Sequence, residues 1–405
     1  MRSSSDIVIV GGGLVGLATA HAIAQSNSDL SITVLEAEAG VARHQSGRNS
    51  GVLHSGVYYQ PGSQKAALCV DGSQRMSRFC AEHDIAIELT GKVIVATSPS
   101  EIVTLNDLEV RGRANGLENL EMVDEAGLRE HEPHATGIQA LFVPQAGVVD
   151  FGGVAERLVS LLQASGHEVR TGFDVVAIEG GGPRYRLTAR TGEQIAAGYL
   201  VNCAGLHSDR VARMAGADPQ LRIVPFRGEY YLLSNERSPL VRHLVYPVPD
   251  PRFPFLGVHF TRRIDGAVEV GPNAVVALGR HNYRGEGGVS VTDIREMVAA
   301  PELWRLGARY WRTGGSEMIR SRSRRLYAAE ARKMIPGIGA DDLRRGGSGI
   351  RAQAILRDGT LVDDFAIEES NGALHVLNAP SPAATACLAI GEVIAGRAFS
   401  AIGPG

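Results

Sequence analysis

The chain has 405 residues, and its 41 basic and 44 acidic side chains give a formal charge of −3. This length predicts two or three lobes, and a content of 44% apolar and 21% charged residues excludes a disordered chain, a collagen or a coiled coil. The lack of a basic surplus argues against nucleic acid as the main partner, because binding to phosphates needs a basic surface.

The first 24 residues combine an early arginine with an apolar run, a pattern that imitates a secretory signal or a membrane span. Three consecutive glycines, at 11–13, interrupt the run where a membrane helix most needs helix-forming residues. Residues 7–10 are β-branched, as in a short buried strand, and a helical pattern begins at Leu14. We therefore predict a strand, a glycine turn and a helix.

In this context the motif G-x-G-x-x-G, at Gly11, Gly13 and Gly16, predicts a dinucleotide site. The first glycine permits a tight turn, the second lets the backbone approach a pyrophosphate, and the third lets the helix pack on the strand. The helix N-terminus offers free N–H groups to the diphosphate. A second predicted strand, over residues 31–35, ends in Glu36, whose carboxylate can accept both ribose hydroxyls of an adenosine.

A polar, glycine-rich stretch over residues 43–59 decides between NAD and FAD. In a nicotinamide enzyme, more strand–helix units should follow at once. This stretch has too much Gly, Ser and Asn for a core helix, and too much His and Tyr for a passive linker. We interpret it as a loop packed along an extended cofactor, FAD; a solvated surface loop is the alternative.

This stretch, HQSGRNSGVLHSGVYYQPGS at residues 44–63, resembles the flavin-contact segment of the D-amino-acid-oxidase-like FAD superfamily. More narrowly, it resembles the L-2-hydroxyglutarate oxidase/dehydrogenase family. The part of the chain least similar to that family is about 302–345. Further blocks resemble the family in the same order along the chain: residues 202–206, 225–231, 254–262, 270–275, 349–353 and 377–385. The resemblance implies an enzyme that uses FAD to oxidise L-2-hydroxyglutarate to 2-oxoglutarate.

The middle of the chain predicts two interleaved units. A helix over 154–164 and strands over 168–172, 174–179 and 199–205 suit the nucleotide-binding unit, whereas residues 223–276, rich in Val, Phe, Tyr and Ile, suit antiparallel strands. The predicted fold class is α/β, with a Rossmann-like FAD-binding domain and an interleaved α+β substrate domain built on an antiparallel sheet. The expected domains are 1–87 with 147–222 and 340–405 for FAD, and 88–146 with 223–339 for substrate.

Residues 302–333 carry nine basic and three acidic side chains and both tryptophans, Trp304 and Trp311. We favour a solvated helical face, because charge runs usually face water. The alternative is peripheral contact with an anionic bilayer at the inner face of the membrane, with a membrane quinone as electron acceptor. Four separated cysteines without C-x-x-C spacing predict reduced thiols in a cytoplasmic protein, and neither a metal site nor a disulfide framework.

The C-terminal stretch 378–385 and the residues 386–395 predict a loop that leads into a helix. Ser381 would cap this helix, with Pro382 in its first turn. The positive end of the helix dipole would stabilise the anionic reduced flavin; an ordinary capped helix is the alternative.

The predicted cofactor contacts combine the motif residues with those that the resemblance implies; among the latter, Val175 falls where this superfamily contacts adenine through its backbone. The full set is Gly11, Gly13, Gly16, Glu36, Ser46, Arg48, Asn49, Gly51, Val175, Gly205, Gly349, Ser381, Pro382, Ala383 and Thr385.

Oxidation of a 2-hydroxy acid removes a hydride from C2, which the flavin takes, and a proton from the hydroxyl group. A neutral imidazole suits the proton transfer, because its pKa lies near the working pH. His54, in the flavin-contact loop, is the first candidate, His259 is the second, and His44 is assigned to a cofactor or loop contact.

A dicarboxylate substrate also needs two anion anchors, and a planar guanidinium matches a carboxylate in two-point fashion. The candidates in the matched blocks are Arg227, Arg262 and Arg351, with Tyr58 and Tyr246 as hydroxyl donors. Asn273 is either a substrate ligand or the closure of a turn. The electrons would pass to a quinone, another acceptor or oxygen. Alternative functions are an amino-acid or glycerol-3-phosphate oxidoreductase of the same superfamily, or a non-catalytic flavin-binding subunit.

Overall fold

The computed structural model of the chain describes residues 2–182, 184–250, 257–283, 287–309 and 323–402. The strands are β1 Ser4–Val10, β2 Ile32–Leu35, β3 Val52–Leu53, β4 Ile87–Glu88, β5 Lys92–Ala96, β6 Glu121–Asp124, β7 Gln139–Val143, β8 Gly147–Val149, β9 Glu168–Arg170, β10 Val175–Gly181, β11 Arg184–Ala189, β12 Gln194–Asn202, β13 Leu221–Leu233, β14 Leu244–Pro247, β15 His259–Arg262, β16 Val268–Gly271, β17 Val275–Val276, β18 Leu343–Leu356, β19 Ala366–Ser370 and β20 Ala373–Asn378.

The helices are α1 Leu14–Ser26, α2 Gln64–Glu82, α3 Ile102–Ala114, α4 Glu125–His131, α5 Phe151–Ala164, α6 Ser208–Met214, α7 Val291–Val298, α8 over 301–309, α9 Arg324–Ala331 and α10 Cys387–Ile402. Short 3₁₀ turns cover Pro99–Glu101, Gly205–His207, Ser238–Leu240 and Ala340–Asp342. No helix of the described ranges is long and apolar enough to cross a membrane.

The first sheet has a parallel centre, with β1 between β2 and β12, β9 beyond β2, and β20 beside β12. Its central strand is buried on both faces, as β-branched residues in a parallel sheet favour. Ile7 and Ile9 belong to the core formed with α1, α5 and α10. Val8 and Val10 face a second core on the other side. The strand, glycine turn and helix predicted for the N-terminal segment are confirmed.

The second sheet has nine strands, in the order β17-β13-β16-β15-β14-β5-β7-β6, with β18 paired to β13. Side chains alternate across it. One face carries Val93, Val245 and Phe260 and packs against Tyr327 and Ala328 of α9.

The opposite face of the second sheet carries the polar side chains Lys92, Tyr246 and His259 beside apolar residues such as Ile94 and Leu244, and it is called the polar face below. Lys92 lies opposite Leu244, and Tyr246 lies beside His259, because Val245 pairs with Phe260. The sequence His259-Phe260-Thr261-Arg262 therefore places His259 on the polar face and Arg262 on the opposite one. This polar face provides one wall of the site described below.

The predicted fold class, α/β with a Rossmann-like unit and a unit on an antiparallel sheet, is confirmed. The domain boundaries stay a prediction. One segment departs from these boundaries. Strand β18, which was expected in the FAD-binding unit, pairs with β13 over Leu221–Leu233 in the second sheet. The chain was expected to return to the first unit from residue 340, and here it does so with β19 and β20, which join the first sheet.

Candidate active site

A cavity of about 1550 Å³ extends between the two sheets. At one end it is lined by the glycine turn and Glu36, and at the other by His54 and His259. The predicted nucleotide site and the predicted proton acceptors therefore line the same cavity.

The glycine turn is sterically obligatory. Gly11 has φ +116°, and a Cβ built on it would lie 2.3 Å from the carbonyl oxygen of Cys203. A Cβ on Gly16 would lie 2.0 Å from the carbonyl oxygen of Gly11, although Gly16 itself is not among the cavity-lining residues. The first glycine thus makes the turn and the third makes the close approach of α1, while Gly13 faces the cavity.

Glu36 closes the nucleotide end. Its two carboxylate oxygens accept hydrogen bonds from the backbone N–H groups of Gly12, at 2.8 Å, and Glu38, at 2.9 Å. Burial raises the pKa of this carboxyl group. Each oxygen keeps a further lone pair, so the group can still accept hydrogen bonds from ribose hydroxyls.

The loop that follows β2 is shaped by its own side chains. Ser46 Oγ accepts a hydrogen bond from the N–H of Leu14 at 2.9 Å, which occupies one of the free donors at the start of α1. Asn49 donates to the carbonyl of Ser46 at 2.7 Å and accepts from the N–H of Gly51 at 2.8 Å. Arg48 Cζ lies 4.3 Å from the centroid of the Tyr283 ring.

The predicted cofactor contacts form two sets, those that line the cavity and those that do not. The residues that line the cavity are Gly11, Gly13, Glu36, Ser46, Arg48, Asn49, Val175, Gly205, Gly349, Ser381, Pro382 and Ala383. Gly16, Gly51 and Thr385 are not among the lining residues. Gly349 is needed for packing as well, since a Cβ there would lie 2.3 Å from the carbonyl oxygen of Arg48.

His54 stands at the far end of the cavity on a fixed backbone. Its N–H donates to Thr385 Oγ1 at 3.1 Å, and the Thr385 hydroxyl donates to the carbonyl of Val52 at 3.2 Å. Its Nε2 lies 3.3 Å from Ser381 Oγ. Burial, and then the Lys92 cation, lower the pKa of His54 to about 3, so the ring is neutral.

His259 faces the same space from β15. Its Nδ1 lies 2.8 Å from the carbonyl oxygen of Gly257. A carbonyl only accepts hydrogen bonds, so Nδ1 carries the proton and Nε2 keeps its lone pair. The ring stacks on Tyr246 with centroids 4.0 Å apart, and burial lowers the pKa of His259 to about 3.

The expectation that Ser381 caps the C-terminal helix is wrong. The helix begins at Cys387, and the preceding residues form turns, closed by the N–H of Ala383 to the carbonyl of Pro380 at 2.9 Å and the N–H of Ala386 to the carbonyl of Pro382 at 3.0 Å. Ser381 faces His54 instead, and the turns rather than a helix end line the cavity.

Three of the six predicted substrate ligands, Tyr58, Tyr246 and Arg351, line the cavity. Tyr230 also lines it. Burial raises the pKa of Tyr230 to about 12, against which the Arg351 guanidinium acts. This end of the cavity therefore joins a guanidinium to several protonated hydroxyls.

The other three are not among the lining residues of the described chain, so the cavity gives no support to their assignment to substrate, which stays a prediction. Arg227 pairs with Glu229 at 3.0 Å. Asn273 binds strand β13: its Oδ1 accepts a hydrogen bond from the N–H of Glu229 at 2.7 Å. Arg262 follows Phe260 onto the opposite face of the sheet, because alternate residues of a strand point in opposite directions.

The sequence analysis missed Lys92, the first residue of β5. Its side chain is 1% exposed, and Nζ lies 4.1 Å from the centroid of the Tyr246 ring. The available signal was a charged residue at the start of the apolar run KVIVA. That signal is weak, because a charge at a strand end usually faces solvent.

A carboxylate and two imidazoles, Glu38, His44 and His281, have ligand atoms within 4.8 Å of one another. His44 uses both ring nitrogens in hydrogen bonds, with Glu38 Oε1 at 3.0 Å and the Tyr283 hydroxyl at 2.7 Å. These bonds tie the loop after β2 to Tyr283, so we assign His44 to the loop contact expected of it.

The site residues fit FAD. A turn whose Cβ positions at Gly11 and Gly16 are already filled by backbone brings Gly13 to the cavity wall, while the N–H groups of Gly11, Gly12 and Leu14 donate to the protein itself. The acidic residue suited to the ribose lies beside this turn. The cavity continues far enough to hold a second ring system near His54.

Comparisons with known proteins agree with this geometry. The family model described as FAD dependent oxidoreductase (DAO) matches residues 6–397. The L-2-hydroxyglutarate dehydrogenase of Indibacter alkaliphilus is 45% identical over 390 residues, 96% of this chain and 97% of the relative. The mitochondrial L-2-hydroxyglutarate dehydrogenase of Homo sapiens is 43% identical over 409 residues, 97% of this chain and 88% of the relative.

Among solved structures, the dithionite-reduced L-alpha-glycerophosphate oxidase of Mycoplasma pneumoniae with FAD bound matches with a TM-score of 0.78. The match covers 98% of this chain and 95% of that chain at 22% sequence identity. At this identity the likeness concerns the fold.

Proposed function

Because the chain belongs to the DAO family of FAD-dependent oxidoreductases, we propose that it oxidises L-2-hydroxyglutarate to 2-oxoglutarate, the substrate for which its full-length relatives are named. One observation supports this most directly: a single cavity joins the glycine turn to two neutral imidazoles and a guanidinium. Those groups are what the oxidation of a 2-hydroxy acid requires.

The residues that would hold FAD are the glycine turn, Glu36 at the ribose, and the loop that carries Ser46 and Asn49. Bound FAD supplies the hydride acceptor for C2 of the substrate. The protein's part is to hold the substrate, exclude water and take the hydroxyl proton.

We assign the proton to His54. Its ring is neutral at physiological pH, it lines the cavity, and its backbone is anchored through Thr385. The hydroxyl of Ser381, 3.3 Å from Nε2, orients the ring. His259 is the second candidate, since its Nε2 is a defined acceptor.

Arg351 is the proposed anchor for the substrate carboxylate next to C2. It lines the cavity at the same end as His54 and is close enough to that residue to lower its pKa. A guanidinium offers two parallel N–H donors to a carboxylate, which fixes the acid in one orientation.

The electron acceptor and the location are further proposals. We propose a quinone as acceptor, with the protein cytoplasmic and in peripheral contact with the membrane through the segment around Trp304, which is 65% exposed. Arg312, Arg320, Arg322 and Trp311, also expected there, lie outside the described residues. Reduced enzyme should reoxidise faster with a quinone analogue than with air, and equal rates would remove the quinone.

A substrate panel tests the proposed function. Purified holoenzyme with a dye acceptor should turn over L-2-hydroxyglutarate at least tenfold faster than its D enantiomer, glycerol 3-phosphate, glycine or L-proline, and it should form 2-oxoglutarate. Faster turnover of glycerol 3-phosphate or an amino acid would replace the proposed function with that alternative. Stable flavin with no turnover of any substrate would favour the non-catalytic subunit.

A further inference from the structure

Lys92 is a buried cation at the substrate end of the cavity. It starts β5, on the polar face of the second sheet, and its side chain is 1% exposed. Nζ lies 4.1 Å from the centroid of the Tyr246 ring and 5.2 Å from that of Tyr58. Both rings line the cavity, so the ammonium lies directly behind its wall.

The described residues give Lys92 no hydrogen-bond acceptor and no carboxylate partner. Two comparable cations, Arg280 and Lys65, have acceptors. Arg280 contacts Asp209, and Lys65, which lies over the Tyr59 ring, donates to the carbonyl of Asp363 at 2.9 Å. A buried ammonium held only by ring faces costs stability, so a structural role does not account for it.

A second unsatisfied donor lies beside it. The hydroxyl of Tyr58 is buried and has no hydrogen-bond partner among the described residues. A phenol with a pKa well above its usual value keeps its proton and donates. A donor and a cation without acceptors, at one end of one cavity, are complementary to an anion.

We propose that Tyr58 and Lys92 form the subsite for the second carboxylate of the substrate. The Tyr58 hydroxyl donates to that carboxylate, and the Lys92 ammonium supplies the positive charge from behind the Tyr58 and Tyr246 rings. Lys92 is thus a specificity-determining residue that distinguishes a dicarboxylate from a monocarboxylate. This inference rests on the proposed function, because it assumes a substrate with two acid groups.

The surroundings of Lys92 make this charge sensitive to pH. Burial lowers the pKa of Lys92 to about 7. The titratable groups around it are neutral there: burial keeps the tyrosine pKa values high and raises that of Cys69 to about 12, while those of the two imidazoles are about 3. Arg351 and Lys65 lie at the same end of the cavity as His54.

The lowered pKa of Lys92 predicts how substrate binding depends on pH. The charged form of Lys92 binds the second carboxylate and is lost as the pH rises above about 7. KM for a dicarboxylate should therefore increase above that pH, whereas KM for a monocarboxylate of equal length should not.

The test compares L-2-hydroxyglutarate with L-2-hydroxypentanoate, which has the same carbon chain without the second carboxylate. Lys92→Met should lower kcat/KM for the dicarboxylate by about 30-fold or more relative to that for the monocarboxylate, since any effect of the lost charge on His54 is common to both substrates. It should also abolish the rise of KM at alkaline pH. Tyr58→Phe removes one hydrogen bond and should give a smaller loss, about tenfold, with the same selectivity.

Lys333→Met is the matched control, because Lys333 is exposed and paired with Glu330 outside the cavity. It should leave both substrates unaffected. If Lys92→Met reduces turnover of both substrates equally, or leaves the discrimination between them unchanged, the subsite is wrong.

Calorimetric binding of glutarate and pentanoate to the holoenzyme separates this inference from the proposed function, because neither compound is oxidised. Wild-type enzyme should bind glutarate more tightly, and Lys92→Met should remove that preference. If the preference depends on Lys92 but L-2-hydroxyglutarate is not oxidised, the subsite stands and the proposed reaction fails. If wild-type enzyme has no preference for glutarate, the subsite is overturned.

The thermal midpoint of Lys92→Met checks folding. Replacing a buried, unpaired charge by an apolar side chain of similar length should raise the midpoint or leave it unchanged. A lower midpoint with equal loss of both substrates would mean a structural role and overturn the inference.

Discussion

At the residue scale, the site contains two neutral imidazoles, His54 and His259, which differ in their hydrogen-bond partners. His259 has a defined tautomer, because the carbonyl of Gly257 accepts from its Nδ1. His54 faces a hydroxyl, which either donates or accepts. Neutrality therefore does not separate the two residues, and the proton assignment needs kinetics.

His54→Asn should reduce kcat by about 10² to 10⁴, the range for loss of a general base, while the flavin stays bound. His259→Asn should mainly raise KM, because it removes the ring stacked on Tyr246. Steady-state kinetics at saturating substrate distinguish the two effects. A large kcat loss in His259→Asn with a mild effect in His54→Asn would transfer the role of base to His259.

Individual site residues were predictable from the sequence only where residues adjacent in the chain determine their position. The glycine turn and Glu36 were predictable, because a strand, a turn and a helix adjacent in sequence fix them locally. The assignment of Arg262 to substrate rests on a matched block, which says nothing about which face of a strand a residue takes. Lys92 was missed, since its partners Tyr58 and Tyr246 come from distant parts of the chain.

At the element scale, the C-terminal segment supports the His54 loop through Thr385, which is buried. Thr385→Val removes the acceptor for the His54 N–H and should cost about 1–3 kcal/mol of stability and lower kcat. Thr385→Ser keeps the hydroxyl and should restore most of kcat. Thermal unfolding and turnover measure both, and a defect in Thr385→Ser as large as that in Thr385→Val would contradict a role that belongs to the hydroxyl alone.

Helices α1 and α10 pack closely, and two glycines of α10 differ in what surrounds them. A Cβ on Gly391 would lie 2.7 Å from the backbone of Ala18, whereas one on Gly396 would meet nothing within 4 Å. Gly391→Ala should therefore destabilise by about 1–3 kcal/mol, and Gly396→Ala should stabilise by up to about 1 kcal/mol. Denaturant unfolding of both variants checks this, and effects of the same sign would contradict the packing argument.

Element boundaries were predictable where hydrophobic periodicity was strong. The helix expected over 154–164 extends from Phe151 to Ala164, with Asp150 as its cap. The C-terminal helix was placed one residue early, with its cap at the wrong position. Ser381-Pro382 has the residue types of a cap, but the turns at 380–386 use the backbone differently.

At the scale of the whole molecule, four of the described histidines have strongly depressed pKa values, chiefly through burial. The values are about 3 for His54, His207 and His259, and about 4 for His375. In the unfolded chain these rings take up protons near the ordinary histidine pKa of 6.5. As the pH falls through 6.5, the unfolded state therefore binds protons that the folded state does not bind, and the free energy of unfolding decreases.

Between about pH 6 and 4, each such histidine should lower the free energy of unfolding by about 1.4 kcal/mol per pH unit. Denaturant unfolding of the holoprotein at fixed excess FAD measures the slope. His375→Asn replaces a 1% exposed ring and should reduce the slope by one such increment. An unchanged slope in that variant would contradict the burial of a neutral His375.

The interleaving of the two units was predictable in outline from alternating composition. Its details were not, because β18 follows the basic segment in sequence yet pairs with β13 over more than ten positions. Such pairing depends on register between strands over a hundred residues apart, which local pattern does not encode. The continuous cavity between the sheets is a product of that pairing.

Anaerobic mixing of purified holoenzyme with each enantiomer of 2-hydroxyglutarate tests the central claim most directly. The account predicts that the L enantiomer removes the visible absorbance of oxidised flavin and yields one 2-oxoglutarate per flavin, and that the D enantiomer does so far more slowly. Flavin that stays oxidised with both enantiomers, but is bleached by glycerol 3-phosphate or an amino acid, would contradict it.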